Sequence, residues 1–238
     1  MNARAAIVPL LLCAAAGCAS TPSVPTVSPA KDAAAAGMVD VRALAPDIGL
    51  DMRYAGAHNF VGTPIDGYEA PRCYLLRPAA EALARVQESL RARHQRLLAF
   101  DCYRPVRAVA HFMRWARDPA DLRNKAEFYP LLDKPALVPG YIAEHSGHSR
   151  GATLDLTIEQ CDAAGGHCEP LDMGTGFDYF GELAHTDSPG VTEGQRANRH
   201  RLRDAMQAQG FENYADEWWH YTLRPEPDPG TAYDFPVR

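Results

Sequence analysis

The sequence predicts an α+β fold, a central antiparallel sheet flanked by helices, and three observations carry that reading. Apolar residues recur at helical spacing in three stretches. Three other runs are short, apolar or aromatic, and suited to strands. The two kinds of segment do not alternate in the βαβ rhythm that builds a parallel sheet.

Pro78 to Arg93 places Leu83, Val86 and Leu90 on one helix face, with Pro78 suited to a first turn. Leu97 to Phe100 is a short buried strand. Pro105 to Ala116 carries Val109, Phe112, Met113 and Ala116 on one side of a second helix. Ala152, Leu154, Leu156 and Ile158 alternate with Thr153, Asp155 and Thr157, the pattern of a half-buried strand. Glu193 to Gln209 forms a third helix with Leu202, Ala205 and Met206 inward and many arginines outward, stopped by Gly210. Trp218 to Leu223 is aromatic and β-prone.

The N-terminus reads as an export signal. A short n-region with Arg4 precedes an apolar run from Ala5 to Gly17, and Ala15-Ala16-Gly17-Cys18 resembles a bacterial lipobox with Ala15 in place of the usual leucine. The expected organisation is a lipoprotein signal peptide over 1–17, lipidation at Cys18, a flexible Ser/Thr/Pro-rich tether over 18–38 and one catalytic domain over 39–238. Export leaves Cys73, Cys102, Cys161 and Cys168 in an oxidising compartment. Cys161 and Cys168 flank a flexible turn and are expected to pair, leaving Cys73 for Cys102. A Cys161/His167/Cys168 metal knuckle is the rival reading, short of a fourth ligand. The composition, 46% hydrophobic and 23% charged, is globular, and a net charge of −6 speaks against a nucleic-acid partner.

Chemistry concentrates in Ser146-Gly147-His148-Ser149-Arg150-Gly151-Ala152-Thr153-Leu154-Asp155 and in Glu217-Trp218-Trp219-His220. Two imidazoles, a carboxylate and a spare glutamate are what zinc hydrolysis needs: three ligands, an open position for water, and a base. His148 and Asp155 are seven apart, so on one unbroken strand they would face opposite ways. A turn at Ser149-Arg150-Gly151 must intervene, with Gly151 free to take positive φ. Glu217 and His220 similarly need a bend at Asp216-Glu217. On spacing alone His148 also fits a solvated loop, Asp155 a polar strand face and His220 a core histidine. His58, His94, His111, His145 and His185 show no comparable pattern and read as structural or surface residues.

The chain resembles the VanX-type D-Ala-D-Ala dipeptidase family, zinc peptidases that share their fold with the hedgehog signalling domain. The matching residues run in order from Arg53-Tyr54-Ala55 and Asp66-Gly67-Tyr68-Glu69 through Tyr103-Arg104-Pro105 and His148-Ser149-Arg150-Gly151 with Asp155. They continue through Phe177-Asp178 and Glu217-Trp218-Trp219-His220-Tyr221 to Asp234-Phe235-Pro236-Val237. The resemblance implies one zinc held by His148, Asp155 and His220. It implies Glu217 as general base for the attacking water and Arg104 as the group that stabilises the oxyanion. Asp178, with Tyr54, would take the substrate ammonium, and Ser146 would hydrogen-bond the substrate. The expected reaction is hydrolysis of D-alanyl-D-alanine to two D-alanines.

Two features depart from the cytosolic resistance enzymes of that family, the export signal and the extra cysteines. They point to a periplasmic lipoprotein, anchored in the outer membrane by lipid alone, that serves wall turnover or D-alanine recycling. A D,D-carboxypeptidase acting on wall peptides is the alternative enzyme, and it requires an open cleft. A non-catalytic wall-binding lipoprotein is the alternative binding protein, and it has no need of Glu217 or Arg104.

Overall fold

A computed structural model describes residues 24–238. The expected signal peptide and the lipidation at Cys18 lie outside the described residues. The strands are β1 (Thr26–Val27), β2 (Met38–Asp40), β3 (Gly49–Leu50), β4 (Tyr74–Leu76), β5 (Gln95–Asp101), β6 (Thr153–Cys161), β7 (Cys168–Pro170), β8 (Phe211–Asn213), β9 (His220–Leu223) and β10 (Thr231–Ala232). The helices are α1 (Arg77–Arg91), α2 (Val106–Ala116), α3 (Lys125–Phe128), α4 (Lys134–Leu137) and α5 (Glu193–Gln207).

The main sheet runs β3-β5-β6-β9-β8, with β7 also on β6. Its interior ladders are antiparallel, but β3 joins β5 in parallel. The α+β class holds, and the sheet is mixed rather than purely antiparallel. A two-residue strand leaves no alternation for a periodicity argument to register. β6 departs from its expected half-burial for a related reason. It is central and covered on both faces, so Thr153, Asp155 and Thr157 are buried with Leu154, Leu156 and Ile158. The Thr153 and Thr222 hydroxyls satisfy each other at 2.9 Å, and Asp155 faces the site described below.

The three expected helices are α1, α2 and α5, each within a few residues of its anticipated ends. Pro78 sits in the first turn of α1, and Thr192 with Gln195 closes a capping box on α5. Arg199 stands apart from the other arginines of α5, because it is fully buried.

The described part of the expected tether, residues 24–38, lies on the domain. β1 pairs in parallel with β10, Thr26 against Thr231 and Val27 against Ala232, and Ala36 and Met38 are buried. Backbone pairing needs no particular side chains, so a Ser/Thr/Pro-rich composition did not reveal it. Both expected disulfides are present, Cys73–Cys102 and Cys161–Cys168. The knuckle reading therefore fails, since both of its thiols are bonded to each other across the β6–β7 ladder.

The chain turns before β6 as the spacing requires. Gly147–Arg150 is a 3-10 turn closed by Gly151 at φ +75°. The Gly151 amide donates to the His148 carbonyl, and its own carbonyl accepts from Leu76. A Cβ at 151 would run into the Met38 side chain in a backbone region L-residues avoid. Gly151→Ala should therefore cost about 1–3 kcal/mol of stability, read from urea unfolding; an unchanged midpoint would mean the turn relaxes freely.

Candidate active site

Strand register assembles the centre. β6 pairs with β9 so that Asp155 lies opposite His220, and β5 pairs with β6 so that Asp101 lies opposite Asp155. Cross-strand partners share a face of the sheet. His148 arrives from the 3-10 turn, whose N-cap is Ser146, with its hydroxyl oxygen accepting from the His148 amide. Glu217 arrives from the bend before β9, where its amide donates to the Tyr214 carbonyl and its carbonyl accepts from the His220 amide.

His148 Nε2 lies 3.3 Å from an Asp155 carboxylate oxygen and 3.3 Å from His220 Nδ1. His220 Nδ1 is 3.0 Å from the other Asp155 oxygen. One ligand atom from each of the three residues falls within 4.8 Å of the others. The ring of His148 is fixed by its far nitrogen, since Nδ1 donates to the Cys102 carbonyl at 2.8 Å. That bond turns Nε2 toward the Asp155 carboxylate, an arrangement that a cation between them would stabilise. The donor set, two imidazole nitrogens and a carboxylate, fits a divalent metal with a further position open to the cavity. The histidines oppose burial strongly enough to hold the Asp155 carboxyl below the usual range.

Glu217 stands beside this group, 3.5 Å from His220 Nδ1. Burial pushes its pKa up to about 7, against the pull of His220. Arg104 is gripped by Asp101 at 2.9 Å and reaches within 3.6 Å of Asp155. Its guanidinium lies over the Tyr54 and Phe112 rings. Asp178 accepts from the Tyr54 hydroxyl at 2.8 Å. Burial, then the charge of Asp155, raises the Asp178 pKa well above the carboxylate range. An uncompensated carboxyl in such a place favours a cationic partner.

All eight side chains singled out for metal, catalysis and substrate line one cavity of about 250 Å³: Tyr54, Arg104, Ser146, His148, Asp155, Asp178, Glu217 and His220. His145, read from sequence as surface or structural, lines the cavity as an exposed residue of the loop leading to Ser146. Asp101 was not anticipated. It is fully buried, accepts from Tyr68 at 2.6 Å, and lies 3.4 Å from His148 Nδ1 as well as holding Arg104. Its one sequence signal was an acid at the end of a buried strand, three residues before Arg104.

Two imidazoles and a carboxylate converging in a buried cavity, with a glutamate and an arginine alongside, define a metallopeptidase centre. Residues 34–238 match the Peptidase_M15 family, described as D-ala-D-ala dipeptidase. The chain is 44% identical over 195 residues to a D-alanyl-D-alanine dipeptidase of Streptomyces coelicolor, covering 82% of this chain and 95% of the relative. It is 41% identical over 189 residues to a D-alanyl-D-alanine dipeptidase of Enterococcus faecium, covering 79% and 92%. A relative of the same name in Escherichia coli is 32% identical over 78% of this chain and 84% of its own length. The chain belongs to the D-Ala-D-Ala dipeptidase family and is a metallopeptidase.

Chelator-stripped protein should take up about one divalent ion per chain. His148→Ala, Asp155→Ala and His220→Ala should each weaken uptake in calorimetric titration. Undiminished uptake in all three variants would place the metal elsewhere.

Proposed function

We propose that this protein is a zinc D-Ala-D-Ala dipeptidase. The observation that carries the reading is the placement of Asp178, Arg104 and Glu217 around the His148/Asp155/His220 group in a cavity of about 250 Å³. Two imidazoles and one carboxylate form a donor set typical of catalytic zinc. When bound, zinc supplies a Lewis acid that polarises the scissile carbonyl and acidifies the attacking water.

The chain's own groups account for the remaining steps. The Glu217 carboxylate takes a proton from the attacking water as the new C–O bond forms, and returns it to the leaving amine as the C–N bond breaks. The Arg104 guanidinium, held in place by Asp101, faces the negative oxygen that develops on the carbonyl. Asp178 takes the ammonium of the dipeptide, with the Tyr54 hydroxyl donating to the same carboxylate. The Ser146 hydroxyl oxygen already accepts from the His148 amide, which leaves its proton free for a substrate acceptor. An amide in place of the ammonium would leave Asp178 buried without a cation, so selection falls on free dipeptides rather than wall peptides.

The two disulfides support work in an oxidising compartment. The reading is completed by cleavage before Cys18, lipidation of its thiol and an outer-membrane anchor facing the periplasm. There the enzyme would return D-alanine from wall turnover to metabolism.

Glu217→Gln should keep its metal and lose most turnover. Arg104→Ala should lower kcat by about 10²–10³, or roughly 3–4 kcal/mol of transition-state stabilisation. Both are read from steady-state kinetics on D-Ala-D-Ala, with its L,L isomer and a wall pentapeptide as poor substrates. Equal cleavage of the pentapeptide would favour the carboxypeptidase. In cell fractionation, wild type should sediment with membranes while Cys18→Ser becomes soluble or stays unprocessed. Soluble periplasmic wild type would remove the lipid anchor, and cytoplasmic wild type would remove export.

A further inference from the structure

Among the arginines of α5, Arg199 alone is fully buried, and its guanidinium serves one segment of chain. Nε donates to the Met173 carbonyl at 2.7 Å, Nη1 to the His185 carbonyl at 2.6 Å, and Nη2 to the Leu183 carbonyl at 3.0 Å. These carbonyls belong to the two feet of the loop whose tip carries Asp178. Gln195 and Asn198, on the same face of α5, grip the first foot as well, donating to the Asp172 carboxylate and carbonyl at 2.9 Å each. All three acceptors of Arg199 are neutral, so the charge does not form an ion pair with them; it ties together backbone that no ladder pairs. Burial pushes its pKa down to about 10, which leaves it charged at neutral pH.

The loop has reason to need fixing. Asp178 sits at φ +61°, a conformation costly for a residue with a Cβ. At the tip, Phe177 stacks on Phe100 with 5.0 Å between ring centroids, and the Phe180 amide donates to the Phe128 carbonyl. Tip contacts set the depth of Asp178 in the cavity. The feet fix where the two ends of the loop stand against α5, and with them how firmly that tip is held against the sheet.

We infer that Arg199 is a positioning residue for substrate binding, one that holds both feet of the 173–185 loop so that Asp178 meets the dipeptide ammonium at the right distance from the scissile bond. The inference rests on the reading of Asp178 as the ammonium partner. Glu217 has an anchor of its own, since Asn213 Nδ2 donates to the Glu217 carbonyl at 3.0 Å. Loss of Arg199 therefore acts on binding more than on turnover.

The test uses Arg199→Met and Arg199→Lys in the full-length metal-loaded protein, with Asp178→Asn as comparator. Each is measured for metal content, for hydrogen exchange of peptides spanning 172–188, and for KM and kcat on D-Ala-D-Ala. Arg199→Met should keep its metal, lose exchange protection in that segment, and raise KM about tenfold or more with a smaller change in kcat. Lysine, which keeps the charge but has no planar fork, should rescue part of both effects. If Arg199→Met does not fold, Arg199→Lys is judged by the same two readouts. Unchanged exchange overturns the inference. So does lost protection with unchanged KM while Asp178→Asn raises KM. If Asp178→Asn leaves KM unchanged, the ammonium reading falls instead, and the exchange data alone support or overturn the clamp.

Discussion

The antiparallel pairing of β6 with β5 and β9 is the constraint on which the site depends. It places Asp101, Asp155 and His220 side by side on three strands, so the sheet itself does most of the converging. A bulge at Phe100 matters here. Ala99 pairs with Leu156 and Asp101 with Asp155, so two residues of β5 advance against one of β6. Without that extra residue Phe100 would stand opposite Asp155, and the acid that holds Arg104 would lie elsewhere. A one-residue slip of β9 would send His220 to the other face, and no loop adjustment would restore it. His148 comes from outside the strands, yet its ring is fixed to the same sheet by the Cys102 carbonyl just beyond β5. Cys102 is in turn bonded to Cys73 just before β4.

Around this frame the cavity concentrates charge of one sign. Asp155, Asp178 and Glu217 line it, with Asp101 buried behind them, and the lining holds a single guanidinium, that of Arg104. Burying carboxylates is costly unless cations complement them. A divalent metal and the ammonium of a small substrate are the two cations that would balance this set. On the proposed reading the metal group and Arg104 would serve the scissile bond, while Asp178 with Tyr54 would receive the amino group. A molecule short enough to offer its ammonium to Asp178 while its amide reaches the metal group would satisfy both.

Much of this was legible in the sequence, and the limits have physical causes. The turn between His148 and Asp155 followed from strand parity, because residues seven apart cannot share a face without one, and Gly151 supplies its left-handed closure. The three long helices followed from apolar spacing. β3 and β1 escaped notice because two-residue strands have no period, and their pairing uses backbone alone. The burial of β6 on both faces was hidden by its threonines, which look solvent-facing until Thr153 finds Thr222 across the ladder. Asp101 and Arg199 were missed for a shared reason. Each is a charged residue buried by partners distant in sequence, Tyr68 and His148 for Asp101 and three backbone carbonyls for Arg199, and local pattern assigns such residues to the surface. The roles of Arg104 and Asp178 came from family resemblance, since neither spacing nor composition distinguishes them from an ordinary ion pair or turn former.

The pairing of β1 with β10 bears on how far the enzyme can roam. Thr26, the first residue held to the domain, is eight positions on from Cys18. Fully extended, that stretch reaches at most about 28 Å. An anchor at Cys18 would thus act as a short leash, keeping the catalytic domain close over the bilayer rather than sweeping the space beyond it. A leashed enzyme meets only what comes to it. A fixed polymer out of range is beyond its reach, whereas a freely diffusing dipeptide visits the membrane surface many times. With such an anchor, confinement of the catalyst and a cavity fitted to a small mobile substrate would be two expressions of one arrangement, in which the substrate does the travelling.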